Sequence, residues 1–302
     1  MHILITGGTG LIGSTLVKRW QNHYKLTILS RTPQNVTARF GDGVTAVASL
    51  ADVDFNNITA VINLAGEPIV GKRWSKRQKQ ELCHSRWRCT ASLVDAINRA
   101  STPPQVLISG SAIGFYGAQH TQLISEDFSH YHDDFPHQLC ERWEMLAQEA
   151  ASPQTRVCLL RTGIVLSKSG GALKKMLPPF QLGLGGRIGN GEQYMSWVHI
   201  DDIVQIIEFL LLHPTLQGVF NATAPTPVTN AQFSQELAQV LHRPALLPIP
   251  AFMLNLLLGE MATLLLDGQR VIPANLIKAG YQFRFKELKP ALTDLLSGQS
   301  AL

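Results

Sequence analysis

The fold is decided by a short glycine-rich stretch, Thr6-Gly7-Gly8-Thr9-Gly10-Leu11-Ile12-Gly13. It lies between an apolar run that predicts a first strand, His2–Thr6, and an amphipathic run that predicts a first helix, Leu11–Gln21. The Gly-x-x-Gly-x-x-Gly spacing lets the backbone turn tightly and approach a pyrophosphate, and its last glycine lets helix and strand pack closely. The alternative is that the stretch is a strand–turn–helix unit with a structural role only and no bound ligand. The apolar strand before the loop and the helix after it favour a dinucleotide site, with the helix N-terminus facing the phosphates.

The pattern of strands and helices continues through roughly the first two thirds of the chain. Further strands are predicted at Lys25–Ser30, Val44–Ala48, Ala60–Leu64, Gln105–Ser109, Arg156–Arg161 and Gly218–Ala222. Further helices are predicted at Ser75–Arg99, His137–Ala150 and Asp201–Leu212. Strands that are apolar on both faces and separated by helices indicate a parallel, doubly wound sheet. The predicted fold class is therefore α/β, of the Rossmann type.

From about residue 163 the character of the sequence changes. A glycine-rich loop spans Gly183–Gly191, and prolines punctuate the remainder. Helices are predicted at Asn230–Leu241, Ala251–Leu266, Ala274–Ala279 and Leu288–Leu296. We predict that residues 1–162 and about 195–225 form the cofactor-binding domain. Residues from about 163 to 194 and 226 to 302 then form a smaller, mostly helical substrate-side lobe, with a C-terminal small domain from about 250.

Composition excludes several classes of function. A net charge of +4 without a concentrated basic face argues against nucleic-acid binding. The four cysteines show no CxxC spacing, so neither a metal site nor a disulfide framework is expected. The N-terminus enters a strand without a basic leader, which favours a cytoplasmic protein. The apolar run Phe252–Leu266 is too short to span a membrane and predicts a buried or lobe-contacting helix.

The residues after the second predicted strand favour NADP(H) over NAD. An NAD-binding fold usually places an acid about 20 residues beyond the loop, to hold the ribose 2′-hydroxyl. Between Gly7 and Gly41 the chain has no Asp or Glu; Ser30-Arg31 stands at that place, with Arg39 further along. An arginine can pair with a 2′-phosphate that a carboxylate would repel. The alternative is that Arg31 is only a solvated loop charge.

Several longer motifs carry a resemblance to a known family. They are Asn63-Leu64-Ala65-Gly66, then Ser109-Gly110-Ser111-Ala112 leading to Phe115-Tyr116-Gly117, and Trp197-Val198-His199-Ile200-Asp201-Asp202. The chain resembles the NAD(P)-dependent epimerase/dehydratase branch of the short-chain dehydrogenase/reductase superfamily, and an atypical subgroup labelled "epimerase family protein", over nearly its whole length. Loop motif and resemblance together predict that the cofactor contacts Thr6, Gly7, Gly10, Leu11, Ile12, Gly13, Ser30, Arg31, Leu64, Ala65, Gly66 and Ser109.

The sequence departs from this family at its catalytic pair. Familiar members use Tyr-x-x-x-Lys, in which lysine lowers the pKa of the tyrosine and the phenolate moves a proton. This chain has no lysine from Gln80 to Ser167, and the place of the pair is taken by Cys140-Glu141-Arg142-Trp143-Glu144. Cysteine therefore stands where the tyrosine belongs, and Glu144 where the lysine belongs.

Three residues are candidates for the remaining chemistry. Ser111 matches the family's catalytic serine and could hydrogen-bond a substrate carbonyl or alcohol, or it could simply satisfy backbone at a strand end. Cys140 could donate a proton, although a buried inert cysteine is the favoured interpretation. Tyr116 could reach the nicotinamide end, but without a lysine it keeps its proton at neutral pH. Glu141 or Glu144 could act as acid or base, but an ion-paired helix face with Arg142 is the simpler explanation.

Substrate contacts are predicted at Arg73, Arg187 and His199, with a solvated basic loop as the alternative for the two arginines. Asp201 or Asp202 is expected to cap the following helix rather than bind metal. The leading hypothesis is an oxidoreductase, or an epimerase that uses hydride transfer, acting on an unknown small polar substrate. The alternative is a non-catalytic or weakly catalytic NADPH-binding or sensing module. By analogy with the superfamily, helices Ser75–Arg99 and His137–Ala150 are candidate homodimer surfaces.

Overall fold

A computed structural model describes residues 1–297 of the chain. Its strands are β1 His2–Thr6, β2 Lys25–Leu29, β3 Thr45–Val47, β4 Ala60–Asn63, β5 Val106–Ala112, β6 Leu123–Ile124, β7 Arg156–Thr162, β8 Ile164–Ser167, β9 Tyr194–Met195, β10 Trp197–His199, β11 Gly218–Ala222, β12 Val228–Thr229 and β13 Arg270–Val271. Its α-helices are α1 Leu11–Trp20, α2 Pro33–Phe40, α3 Lys76–Arg99, α4 Phe135–Gln148, α5 Gly171–Gln181, α6 Ile200–Leu212, α7 Asn230–Leu241, α8 Ala251–Leu258, α9 Thr263–Leu266, α10 Ala274–Lys278 and α11 Leu288–Ser297.

The large sheet confirms the predicted doubly wound α/β fold. Within residues 1–297 its strands lie in the order β11-β7-β5-β4-β1-β2-β3, and every neighbouring pair is parallel. The chain runs outward from β1 to β2 and β3 on one side, and to β4, β5, β7 and β11 on the other. The direction of winding therefore reverses between β1 and β4. Ligands of such sheets bind at this switch point, beyond the carboxyl ends of the strands, and the glycine loop follows β1 there.

Apolar side chains fill both faces of the sheet. Between one face and helices α1 and α6 lies a core that includes Ile5, Trp20 and Ile207. The opposite face packs against α3 and α4 through residues such as Leu93 and Ala147. Burial on both faces explains why these strands read as continuous apolar runs rather than alternating ones.

The residues beyond β7 build a second core and also return to the sheet. Helices α5, α7 and α11 pack together around Phe180, Phe233 and Leu292. Short strand pairs, β8 with β10, β9 with β12 and β6 with β13, connect this part to the rest. Tyr281 and Phe283 belong to the main core, so the C-terminal segment crosses back onto the Rossmann sheet. The domain limits given above stay a prediction.

The predicted single helix Ala251–Leu266 is wrong in its extent. Gly259, at φ +60°, ends α8, and a 3₁₀ turn over Gly259–Ala262 separates it from α9. Phe252 and Leu256 on α8 are 70% and 73% exposed. The apolar run predicted a buried or lobe-contacting helix. Within residues 1–297 no residue of α8 is buried, whereas Met261 and Ala262, which follow it, are 4% and 0% exposed.

Other differences are smaller. Helix α2, helix α5 and the short strands outside the large sheet were not predicted. Helix α2 has only eight residues, so its apolar side chains give little periodic signal. The fifth strand extends to Ala112 and helix α4 begins at Phe135, where Asp134 caps it by accepting from the backbone N–H of His137. Within residues 1–297, no helix is both long enough and apolar enough to cross a bilayer.

Candidate cofactor and substrate cleft

The glycine loop is packed so closely that two of its glycines have no room for a side chain. Gly7 has φ +69°, and a Cβ there would lie 2.5 Å from the carbonyl oxygen of Leu64. A Cβ on Gly13 would lie 2.3 Å from the carbonyl oxygen of Gly7. Gly13 therefore lies directly against the loop backbone at Gly7, close to the end of β1. These contacts fix the loop over the ends of β1 and β4, at the switch point.

The N-terminus of α1 is open to solvent above this loop. Gly10 is its N-cap, and no side chain among residues 1–297 caps it, so the N–H groups of its first turn are available to bind an anion. Gly10 is exposed, and Leu11 and Ile12 are half-buried. The Gly10 N–H donates to the Gly7 carbonyl at 3.0 Å, which closes the turn. The arrangement fits a pyrophosphate in the way that the glycine spacing predicts.

A buried polar network supports the loop from below. The Thr6 hydroxyl donates to Asn63 Oδ1 at 2.7 Å and accepts from the backbone N–H of Ala65 at 3.1 Å. Asn63 Nδ2 donates to Ser109 Oγ at 3.1 Å and to Thr90 Oγ1 at 2.9 Å. Thr6 and Ser109 are 1% and 0% exposed, so the prediction that they touch the cofactor is wrong. They hold the ends of β1, β4 and β5 together instead.

The adenosine end of the cleft carries two arginines. Arg31 follows β2 and is exposed, next to Ser30, whose hydroxyl accepts from the N–H of Thr32 at 3.2 Å. Helix α2 brings Arg39 back to the loop, where its guanidinium donates to the carbonyl oxygen of Thr9 at 2.8 Å. The sequence predicted a cofactor contact at Arg31 and noted Arg39 only as lying further along the chain. Helix α2, which was not predicted from the sequence, brings Arg39 next to the glycine loop.

The segment after β4 forms another wall of the cleft. Leu64 and Ala65 are half-buried and Gly66 is exposed, as a cofactor contact requires. Arg86 of α3 holds this wall by donating to the carbonyl oxygen of Glu67 at 2.9 Å. Burial lowers the pKa of Arg86 from its ordinary value. No motif in the sequence pointed to Arg86, because it belongs to an ordinary helical pattern.

The place of the missing Tyr–Lys pair holds a buried ion pair. Glu144 accepts from Arg161 Nε and Nη2, both at 2.8 Å, and it also accepts from the Ser111 hydroxyl at 2.6 Å. The Glu144 and Arg161 side chains are 7% and 5% exposed. Ser111 and Arg161 are register partners on β5 and β7. The expected partner of Glu144 was Arg142, which is exposed; the true partner comes from a neighbouring strand.

Tyr116 and Cys140 are poor proton donors in this arrangement. Tyr116 is 0% exposed, its hydroxyl donates to Asn221 Oδ1 at 2.8 Å, and burial raises its pKa to about 12. Burial, and then the charge of Glu144, raise the pKa of Cys140 to about 12. Both side chains pack in one apolar cluster with Ile113 and Phe115. The favoured interpretation of Cys140, a buried inert thiol, agrees with this environment, and Tyr116 cannot reach the cleft.

His199 is not a substrate contact. It is 1% exposed, and its Nδ1 accepts from the N–H of Asp201, so it is the N-cap of α6 in place of the predicted Asp201 or Asp202. Asp202 instead accepts from the N–H groups of Arg284 and Phe285. The ligand atoms of His199, Asp201 and Asp294 lie within 4.8 Å of one another, but Arg284 pairs with both carboxylates, at 2.9 and 3.4 Å.

The two predicted arginine contacts lie apart. Arg73 is exposed and borders the C-terminal segment, since a Cβ on Gly259 would meet its guanidinium at 2.9 Å. Arg187 lines a separate cavity formed with α7 and α11. The structure therefore brings the glycine loop, Arg31, Leu64–Gly66 and Ser111 to one edge of the sheet, and it leaves Arg187 and His199 elsewhere.

Acidification is expected to destabilise the fold through His199. Burial lowers its pKa from 6.5 to about 4, so the unfolded chain binds a proton in that range that the folded chain does not. Stability is therefore lost as the pH falls from about 6.5 to about 4, by about 2 kcal/mol between pH 7 and pH 5. Urea denaturation at both pH values measures the difference. His199→Asn, which keeps a capping side chain, should lose this pH dependence, whereas His23→Gln at an exposed histidine should keep it. An equal pH dependence in His199→Asn would contradict the assignment.

Comparisons with known proteins agree with this geometry. A family model described as "NAD dependent epimerase/dehydratase family" matches residues 3–222. The chain belongs to this family. The resemblance inferred from the motifs is thereby confirmed. A second model, a domain of unknown function (DUF1731), matches residues 249–295 of this epimerase/dehydratase family member.

Several relatives match almost the whole chain. It is 40% identical to "Epimerase family protein SDR39U1 homolog, chloroplastic" of Arabidopsis thaliana, over 98% of this chain and 87% of that protein. It is 37% identical to "Epimerase family protein SDR39U1" of Mus musculus, over 98% of this chain and 100% of that protein. The crystal structure of human epimerase family protein SDR39U1 (isoform 2) with NADPH superposes with a TM-score of 0.91 at 36% identity, covering 99% of this chain and 100% of that one.

More distant structures share the fold. A nucleoside-diphosphate sugar epimerase from Corynebacterium glutamicum superposes with a TM-score of 0.75 at 27% identity, over 98% of this chain and 58% of that one. A UDP-glucuronic acid 4-epimerase from Bacillus cereus, in complex with a substrate analogue and NAD, superposes with a TM-score of 0.76 at 18% identity, over 98% of each chain. At this identity the likeness concerns the fold alone.

Proposed function

We propose that this family member binds NADP(H) in the glycine-loop cleft and is an oxidoreductase, or an epimerase working by hydride transfer, on a small polar substrate. The uncapped N-terminus of α1 supports the pyrophosphate position, and Arg31 and Arg39 at the adenosine end support a 2′-phosphate. The human relative crystallised with NADPH supports the same cofactor. When bound, NADP(H) supplies or accepts the hydride.

The observation that carries the proposed chemistry is the hydrogen bond from the Ser111 hydroxyl to Glu144, 2.6 Å long and buried. Because the Ser111 hydroxyl donates its hydrogen bond to Glu144, its oxygen is left to accept a hydrogen bond from a substrate alcohol. As the alcohol is oxidised, its proton passes to Ser111 Oγ while the Ser111 proton passes to Glu144; reduction of a carbonyl runs the relay in reverse. Arg161 fixes the Glu144 carboxylate through its two hydrogen bonds.

The second candidate function is an NADPH-binding or sensing module with little or no catalysis. It is supported by the same ion pair, because both Glu144 oxygens are already occupied by hydrogen bonds from Arg161, as in a pair that only supports the structure. The high pKa values of Tyr116 and Cys140 leave no obvious substitute in the cleft. A homodimer through α3 and α4 and a cytoplasmic location stay proposals under either function.

Calorimetric titration with NADPH and NADH tests the cofactor. NADPH is expected to bind much more tightly than NADH. Arg31→Ala and Arg39→Ala should each cost NADPH about 1–3 kcal/mol, roughly 5- to 150-fold in affinity, because each removes a charge-assisted contact to the 2′-phosphate. Arg142→Ala, at an exposed arginine on α4, is the matched control and should change nothing. Equal affinity for both cofactors, insensitive to both arginines, would remove the NADP(H) assignment.

Isotope exchange separates the enzyme from the module. The protein is incubated with NADPH deuterated at C4 and a panel of carbonyl compounds, and separately with NADP⁺ and sugar nucleotides deuterated at their alcohol carbons. Transfer or loss of the label is followed by mass spectrometry. If the protein is an enzyme, at least one compound in the panel should be a substrate. Its turnover should fall about 10²- to 10⁴-fold in Ser111→Ala and in Glu144→Gln, while both variants keep their affinity for NADPH. No exchange with any compound, together with tight NADPH binding, would support the module.

A further inference from the structure

A second cavity lies in the lobe, away from the cofactor cleft. Its volume is about 970 Å³, and it is formed by one face of α7, the segment from residue 244 to 248 and the start of α11. Arg187 of the glycine-rich loop closes one side. None of the residues that line it belongs to the glycine loop, to Leu64–Gly66 or to the Ser111 group. It is therefore a separate site, and the function proposed above does not use it.

The lining of this cavity is cationic. Arg187, Arg243, Lys289 and His242 line it, and no carboxylate does. Within residues 1–297, none of the two arginines and Lys289 has a carboxylate partner within 4.0 Å. Glu236 is close enough to both Lys289 and Glu287 for their charges to interact, but neither glutamate belongs to the lining. A concave surface with several unpaired cations attracts an anion of more than one charge.

Both arginines are exposed at the surface of the cavity, Arg187 on a loop held through its backbone and Arg243 with its side chain hydrogen-bonded. The carbonyl oxygen of Arg187 accepts from the N–H of Ile249 at 2.8 Å, so the two loop segments are joined. Neighbouring Gly186 is held by the Ser234 hydroxyl, which donates to its carbonyl oxygen at 3.3 Å. Arg243 Nε donates to the carbonyl oxygen of Gln181 at 2.9 Å, which fixes its guanidinium and leaves other N–H groups available. Such pre-positioning lowers the entropy that a ligand must overcome.

The rest of the lining decides what kind of anion fits. Small and apolar side chains form much of it: Ala231, Ala238, Ala245, Leu246 and Pro248. Ser234, Gln235 and Gln239 add neutral hydrogen-bonding groups. The volume exceeds what a free inorganic ion needs and is typical of sites for small organic ligands. Arginine forks match phosphate oxygens in geometry and charge.

We propose that this cavity binds a phosphorylated small organic molecule, with the phosphate held by Arg187 and Arg243 and the organic part against the alanines of α7. The site is independent of the NADP(H) cleft. Two arginines on one concave surface, one of them with its guanidinium held by Gln181 and neither paired with a carboxylate among residues 1–297, are the juxtaposition that points to this ligand class.

The test uses phenyl phosphate as the probe, on full-length protein saturated with NADPH so that the cofactor cleft is filled. Calorimetry measures its affinity, with inorganic phosphate and phenol as the comparison ligands. Phenyl phosphate is expected to bind more tightly than inorganic phosphate, and phenol not to bind. Arg187→Gln combined with Arg243→Gln should weaken phenyl phosphate about tenfold or more, without changing the melting temperature or the NADPH affinity. Arg88→Gln combined with Arg142→Gln, at exposed arginines elsewhere, is the matched control and should leave binding unchanged.

Three results would overturn the proposal. Equal affinity of the Arg187/Arg243 variant and the control for phenyl phosphate would place its binding elsewhere. Absence of binding to the wild-type protein at millimolar concentration would remove the site. Inorganic phosphate binding as tightly as phenyl phosphate would show that the apolar lining contributes nothing and would reduce the site to a simple anion trap. Because NADPH is present throughout, each result is independent of whether the proposed hydride transfer is found.

Discussion

Replacing Arg161 with methionine is expected to lower the free energy of unfolding by about 3–5 kcal/mol, the cost of leaving a buried charge without its partner. Arg161 and Glu144 are joined by two hydrogen bonds of 2.8 Å, and their side chains are 5% and 7% exposed. Burial alone would lower the pKa of Arg161, but the hydrogen bonds and charge of Glu144 outweigh it and raise that pKa. Methionine keeps the unbranched apolar part of the side chain, so the effect reports mainly on the lost guanidinium and its pairing. Urea denaturation measures it.

Two further variants show whether the ion pair is responsible. Arg161→Met combined with Glu144→Gln removes the stranded charge and should recover a substantial part of the loss, which a double-mutant cycle quantifies. Arg99→Met is the surface control, because Arg99 and Asp95 pair at 4.0 Å while 83% and 70% exposed. It should cost less than about 1 kcal/mol. If Arg161→Met cost no more than Arg99→Met, the pair would not be the buried support of the site that its geometry indicates.

The same pair shows where sequence reasoning stops. The departure from Tyr-x-x-x-Lys could be read from the sequence, and Glu144 was located by its spacing from Ser111. Its partner could not be, because Arg161 lies on β7 and reaches Glu144 only through the register that sets Arg161 opposite Ser111. Arg142 is nearer in sequence, but on a helix it points to solvent. Contacts between strands and helices are a property of the folded arrangement, which local patterns do not encode.

The fold itself was largely predictable, for a physical reason. Strands buried on both faces are apolar throughout, and the helices between them have an apolar side, so the main sheet is visible in the sequence. The lobe was less visible, because its strands are only two to four residues long. Helix α8 shows the opposite error, since an apolar run predicts burial whether or not another element covers it. Ser109 and His199 failed as site residues because a motif does not distinguish a contact from a buried support.

Alanine at Gly13 is expected to cost about 3 kcal/mol of stability and to abolish tight NADPH binding. The added Cβ would lie 2.3 Å from the Gly7 carbonyl oxygen and 2.8 Å from the Gly8 Cα, and both are backbone atoms. A flexible side chain could move aside, but a backbone fixed between β1 and α1 can do so only by displacing the loop, so the strain is large. Urea denaturation gives the stability change, and calorimetry with NADPH gives the binding change.

Two other glycines make this a test of position rather than of residue type. At Gly43 nothing lies within 4 Å of an added Cβ, so Gly43→Ala should be neutral or slightly stabilising, because it restricts the unfolded chain. At Gly10 an added Cβ would meet only the Gly7 carbonyl oxygen, at 3.2 Å, and the residue is exposed at the start of α1. Gly10→Ala should therefore keep most of the stability while weakening NADPH, since its methyl group would crowd the anion site. If Gly13→Ala proved as stable as Gly43→Ala, the loop would be far less tightly packed against the strand than its geometry indicates, and the glycine spacing would lose its structural explanation.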